Sequence, residues 1–191
     1  MKTYRNLLLI FLFPLLFISC SDDDKDNNES TGTGTLTVDG ISYELSQGII
    51  YNRERWESNQ GYNFDVDLLS SDFNMDNLEN PTGIGHMVAL EMFCESTDNL
   101  NGGSYIVDTT EVFPAGTFCG IIVTNFDAHT EEGGTFYIIS TGNSVVVRSG
   151  DSYEFTINVL AIQLDEYLED EGATDVPISC YYKGTLKKDG F

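Results

Sequence analysis

Every second residue from Tyr153 to Ala161 is apolar: Tyr153, Phe155, Ile157, Val159 and Ala161, with Glu154, Thr156 and Asn158 between them. A period of two puts the apolar set on one face of an extended strand and the polar set on the other. Tyr62, Phe64, Val66 and Leu68 repeat the scheme around Asn63, Asp65 and Asp67, and Val88, Leu90, Met92 and Cys94 repeat it again. The run from Phe118 to Phe126 is apolar on both faces. Outside the first 19 residues no window of a dozen residues sustains a 3.6 period, so the body of the chain is expected to be all-β with little helix.

Turn signals sit between these runs. Leu36-Thr37-Val38, Asp39-Gly40 and Ile41 to Leu45 read as a hairpin, because Asp-Gly accepts the positive φ of a type I′ turn. Thr135 to Thr141, a Gly142-Asn143 turn, Val145 to Arg148, a Ser149-Gly150-Asp151 turn and Tyr153 to Leu164 read as a meander, and Ile178 to Lys188 as the closing strand. About 8–10 short strands at this spacing predict an antiparallel β-sandwich, with a small up-and-down, lipocalin-like β-barrel as the alternative. The long segments Asn74 to Gly85 and Asp165 to Pro177 are read as sheet-switching connections, which favour the sandwich. A single domain is expected over residues 34–191.

The start of the chain is of another kind. Lys2 and Arg5 precede an apolar stretch from Leu7 to Ile18, then Ser19-Cys20 and the acidic run Ser21-Asp22-Asp23-Asp24. A charged start and about a dozen apolar residues make a signal peptide, too short to span a bilayer. A cysteine directly after a small residue resembles the lipobox of bacterial lipoproteins. That resemblance implies cleavage after residue 19 and lipidation of Cys20, with the two or more acyl chains that stable anchoring requires. The acidic run resembles the export signal of Bacteroidota surface lipoproteins, which implies display of the protein on the outer leaflet of the outer membrane. Residues 20–33 carry almost no apolar side chain and read as a flexible tether.

Loss of Lys2 and Arg5 with the signal takes the net charge from −22 to −24. Nucleic acid is thereby excluded as a natural partner, since affinity for polyanions rests on clustered Lys and Arg. The membrane is reached through lipid alone, and a glycan or a surface protein stays open as partner. With Cys20 spent, Cys94, Cys119 and Cys180 leave an odd thiol. Each lies in an apolar run and is expected to be buried, with a Cys94–Cys119 disulfide as the exception considered.

From Gly34 to Tyr43, and again through Val145-Val146-Val147, Tyr153-Glu154-Phe155-Thr156-Ile157 and Tyr181-Tyr182-Lys183-Gly184-Thr185-Leu186, the chain is similar to small Bacteroidota lipoproteins of unassigned function. About half of the folded body is covered. These are core and turn residues, so the resemblance implies fold and location and carries over no catalytic residue.

Catalytic signatures are absent from the sequence: no nucleophile elbow, zincin helix, phosphate loop or EF-hand. His86 and His129 read as ordinary turn or surface histidines. Asp65 and Asp67 share one strand face and are the carboxylate pair to inspect for glycan hydrolysis, although a solvated face is the simpler expectation. Asp165, Glu166, Glu169, Asp170, Glu171 and Asp175 make an acidic loop that could take calcium, but in no organised spacing. Trp56, beside Arg53 and Arg55 and followed by Tyr62, is a candidate for stacking on a sugar ring. Asp108-Thr109-Thr110 resembles an O-glycosylation sequon of exported Bacteroidota proteins, with Thr109 as acceptor. The function expected is a non-catalytic binding or accessory role at the cell surface, with a glycan hydrolase and a calcium-stabilised module as the alternatives.

Overall fold

The structure is a computed structural model that describes residues 30–189, apart from 56, 58, 78, 79 and 165–173. Eleven strands follow in order: β1 (Gly32–Val38), β2 (Ile41–Leu45), β3 (Gln47–Glu54), β4 (Tyr62–Leu69), β5 (Ile84–Cys94), β6 (Gly103–Val107), β7 (Thr117–Asp127), β8 (Thr135–Ser149), β9 (Ser152–Gln163), β10 (Asp175–Thr185) and β11 (Lys187–Asp189). The all-β expectation holds. All eleven lie in one hydrogen-bonded sheet of order β11-β3-β4-β5-β7-β6-β8-β9-β10-β1-β2, with β7 also pairing β8. The sheet curls into a half-barrel, so the two facing layers that a sandwich would build from separate sheets are here two halves of one.

The period-two residues fill the inside of the curl. Tyr153, Phe155, Ile157, Val159 and Ala161 are all buried there, with Leu36, Phe64, Val66, Leu68, Leu90 and Tyr182. Burying each large side chain is worth about 1.5–3 kcal/mol, and this alternation is what specifies the register. Tyr182 is fully buried because the facing positions are glycine: a Cβ on Gly32 or Gly48 would run into its ring. The Asp39-Gly40 turn is as expected, with φ of 47° and 80°.

Four features differ from the sequence expectations. Gly142-Asn143 is no turn, for β8 runs unbroken through it. Ser140 is the extra residue of a bulge between the Ile139–Ala161 and Thr141–Leu160 pairs, and beyond it β8 leaves β7 for β6. The closing strand divides at Leu186, since β10 pairs with β9 and β1 while β11 runs parallel to β3. The two long segments join neighbouring antiparallel strands, β4 to β5 and β9 to β10, and switch nothing. The crossings fall instead on single residues, Ser46 and Leu186, because the curl brings the two ends of the sheet together. Ser46 ties them, donating its N–H to the Leu69 carbonyl and accepting from the Gly32 N–H at 2.9 and 3.1 Å.

The fourth difference is two unforeseen strands. In β3, Ile49 and Ile50 are both buried, which breaks the alternation. Ile50 enters the central core, whereas Ile49 packs on the other face with Leu69, Phe73 and Ala128. β6 is five residues long and presents Ile106 to solvent.

Candidate functional site

Two places on the outer face of the sheet gather polar groups. The first crosses β3, β4, β5 and β7. Register sets Tyr51 opposite Asp65, Asp65 opposite Glu91, and Glu91 opposite Cys119. Arg53 closes on this row: its Nε donates to Asp65 Oδ2 at 2.7 Å while its guanidinium lies 4.9 Å from the centre of the Tyr51 ring. The Cys119 thiol faces Glu91 Oε2 at 3.8 Å, and Asp65 Oδ1 is buried without a hydrogen-bond partner.

The face was expected to be solvated and is not. Phe113 stacks on Phe93 at 4.8 Å at one end, and Phe73 and Ala128 pack on Ile49 and Leu69 at the other. The carboxylates between are half-buried and lose hydration. Burial first, and the Asp65 charge second, push both Asp67 and Glu91 up to about 7. Burial also raises Asp65, against the opposing hydrogen bond and charge of Arg53. Chemically, Asp65 and Glu91 form a cross-strand carboxyl pair, with Cβ atoms about 5 Å apart by antiparallel geometry. Among the described residues no group of three or more His, Cys, Asp or Glu is arranged to hold a metal ion.

The second place lies on β8, β9, β10, β1 and β2. Asn143, Asn158, Ser179, Thr37 and Ser42 stand in register across these five strands. Asn158, Ser179 and Thr37 of this row line a shallow groove of about 450 Å³, together with Thr141, Leu160 and Pro177. Gly142, at φ 133°, allows β8 to approach β9 closely there, since a Cβ on it would strike the Asn158 carbonyl. Two residues along β10 from Ser179, on the same face, Tyr181 is 41% exposed and donates its hydroxyl to Glu154 Oε1 at 3.1 Å.

Comparison with protein-family models, with curated proteins and with solved structures finds no match to this chain.

Cys20, Ser21, Asp22, Asp23, Asp24 and Trp56 lie outside the described residues, as do Asp165, Glu166, Glu169, Asp170 and Glu171. Tyr62 packs against the core with the Arg55 guanidinium 4.2 Å from its ring centre, so the ring is not an open stacking face. Thr109 is exposed, next to a turn in which Asp108 accepts hydrogen bonds from the Thr110 and Phe113 N–H groups. His86 lies 4.1 Å from the Tyr43 ring and accepts from the Asn125 N–H. His129 is exposed and its backbone N–H donates to Asp127 Oδ1. Asp175 accepts from Ser140.

The three thiols are free, and the Cys94–Cys119 disulfide considered from sequence is not formed. Cys94 sits in the core and Cys119 on the outer face beside Glu91, so the sheet itself separates them.

Sequence reasoning passed over Glu91, although it is the only charged residue in β5. A single acid in an otherwise apolar strand was the available signal. The neutral row had none, because only pairing register brings its five residues together.

Proposed function

We propose that the protein is a lipid-anchored surface lipoprotein whose β-body serves a non-catalytic binding or accessory role. Ser19-Cys20 and the acidic run after it supply the anchor and the address. The observation that carries the binding role is the uncharged row from Asn143 to Ser42, open to solvent and bordered by an exposed tyrosine. Hydroxyl and carboxamide groups there offer donors and acceptors without charge. The test of the anchor is detergent-phase partitioning of the protein and of Cys20→Ala. Loss of the variant from the detergent phase supports the reading, and unchanged partitioning contradicts it.

A second reading, a cell-surface glycan hydrolase, is favoured by one observation. Asp65 and Glu91 are opposed carboxyls with Glu91 near 7, as an acid and nucleophile pair requires. Against it, the Asp65 carboxylate is engaged by Arg53, and the groove lies on another part of the sheet. Release of reducing ends from a polysaccharide, abolished by Glu91→Gln, would establish the hydrolase in place of the binding role.

A further inference from the structure

We infer that the groove on β8, β9, β10 and β1 is a binding site for a neutral oligosaccharide, lying across the strands with one sugar ring against Tyr181. The inference rests on the binding role proposed above and gives it a place and a ligand class. The chain carries 31 acidic residues against nine basic ones, so an uncharged strip on its surface needs an explanation. Asn143, Asn158, Ser179, Thr37 and Ser42 form that strip, and charge stands only at its borders: Glu44 two residues along β2 from Ser42, Asp175 beside Ser140, and the pair Glu154–Lys183 at 3.1 Å beyond Tyr181. Five strands at about 4.8 Å spacing make a row about 19 Å long, the reach of a short oligosaccharide.

The chemistry of the row matches such a ligand. Sugar hydroxyls are donors and acceptors at once, and so are Ser, Thr and Asn side chains. An anionic ligand would meet the field of a strongly acidic protein, and a cationic one would find no carboxylate in the row itself. The Tyr181 hydroxyl is held by Glu154, which fixes the ring before a ligand arrives and lowers the entropy lost on binding. Its exposed face offers the flat apolar surface on which the C–H side of a sugar ring rests. Gly142 lets β8 lie close against the Asn158 carbonyl and Val159 of β9, which keeps these two strands of the strip tightly paired.

The experiment is a titration of the mature chain, carrying Cys20→Ala so that no lipid is attached, followed through backbone amide resonances. The probes are hexasaccharides of β-1,4-glucose, β-1,4-xylose, β-1,4-mannose and α-1,4-glucose, with a heparin hexasaccharide as the anionic comparison. At least one neutral probe is expected to move the amides of Thr37, Asn158, Ser179 and Tyr181 together, and heparin to move none of them. Tyr181→Ala is expected to weaken that probe at least tenfold, and Tyr181→Phe less than threefold, with amide spectra otherwise unchanged. If no neutral probe moves these amides, or if shifts gather at Asp65 and Glu91 instead, the inference is overturned. Detergent partitioning of the wild-type chain is independent of this result, so failure of the site and failure of the anchoring proposal are told apart.

Discussion

Asp65 on β4 and Glu91 on β5 stand directly opposite each other on the face turned away from the core. Arg53 binds Asp65 through Nε and offsets part of its burial, so within this pair the larger rise falls on Glu91, as it does on Asp67 two residues along β4. Like carboxyls at this spacing, partly shielded from water, favour holding protons.

Stability should therefore carry a pH signature. Asp67 and Glu91 ionise at about 7 in the fold but near 3.8 and 4.5 when unfolded. The folded chain binds protons that the unfolded chain has released, so their contribution is complete below about pH 4 and is lost as pH rises through about 7. Asp67→Asn and Glu91→Gln remove that loss. Relative to wild type, each variant should gain roughly 2 kcal/mol between pH 5 and pH 8. Urea unfolding at the two pH values measures it, and an identical difference at both would contradict the assignment.

Two glycines separate backbone strain from collision. Gly150 has φ 63° with open space around it, whereas Gly142 has φ 133° with the Asn158 carbonyl and Val159 behind it. Gly150→Ala should cost about 1 kcal/mol from conformation alone. Gly142→Ala should cost more, about 2–3 kcal/mol, because β8 must also move off β9. Denaturant midpoints that rank the two variants in the opposite order would show that β8 yields easily at the bulge.

The contrast explains how much of the molecule was legible. Alternation in β4, β5 and β9 and the Asp39-Gly40 turn are local signals, and they specify strands, faces and the first hairpin. The Gly142-Asn143 pair carries the same local signal as a turn, yet tertiary pairing with β6 keeps β8 extended through it. Closure through Ser46 and Leu186 depends on contacts between the two ends of the sheet, which no window of sequence contains. The acidic face of β4 looked solvated because its covering residues come from loops that carry no strand or face signal: Phe113, remote in the chain, and Phe73, just beyond the end of β4. The acidic terminus and the 165–171 loop lie outside the described residues.

Thiol reactivity is a third test. Burial pushes Cys180 up to about 12 and raises Cys94 and Cys119, the last with the Glu91 charge adding to it. A thiol held protonated is a poor nucleophile. In the native protein at pH 8, Cys94 and Cys180 should resist a disulfide reagent until urea unfolds the chain, with Cys119, half-buried on the outer face, reacting first. Rapid reaction of all three in native buffer, or a mass two hydrogens short of the free-thiol form, would contradict this arrangement.

Calcium gives a fourth. With a net charge of −22, any divalent ion relieves repulsion, but an organised site should raise melting in proportion to RT ln(1 + [L]/Kd). Millimolar calcium should shift the midpoint no more than sodium chloride of equal ionic strength. A shift of many degrees specific to calcium, lost when Glu169, Asp170 and Glu171 become Gln, Asn and Gln, would make the acidic loop a metal site.

Surface display of the β-body is tested most directly by labelling intact cells of a Bacteroidota host with a membrane-impermeant amine reagent. Wild type and a variant with Asp22, Asp23 and Asp24 all changed to Ala should be equally abundant and equally membrane-bound. Labelling is predicted for wild type and at least a fivefold loss of it for the variant. Equal labelling of both would show that the acidic run is only a tether, and absence of label on the wild-type protein would remove it from the cell surface.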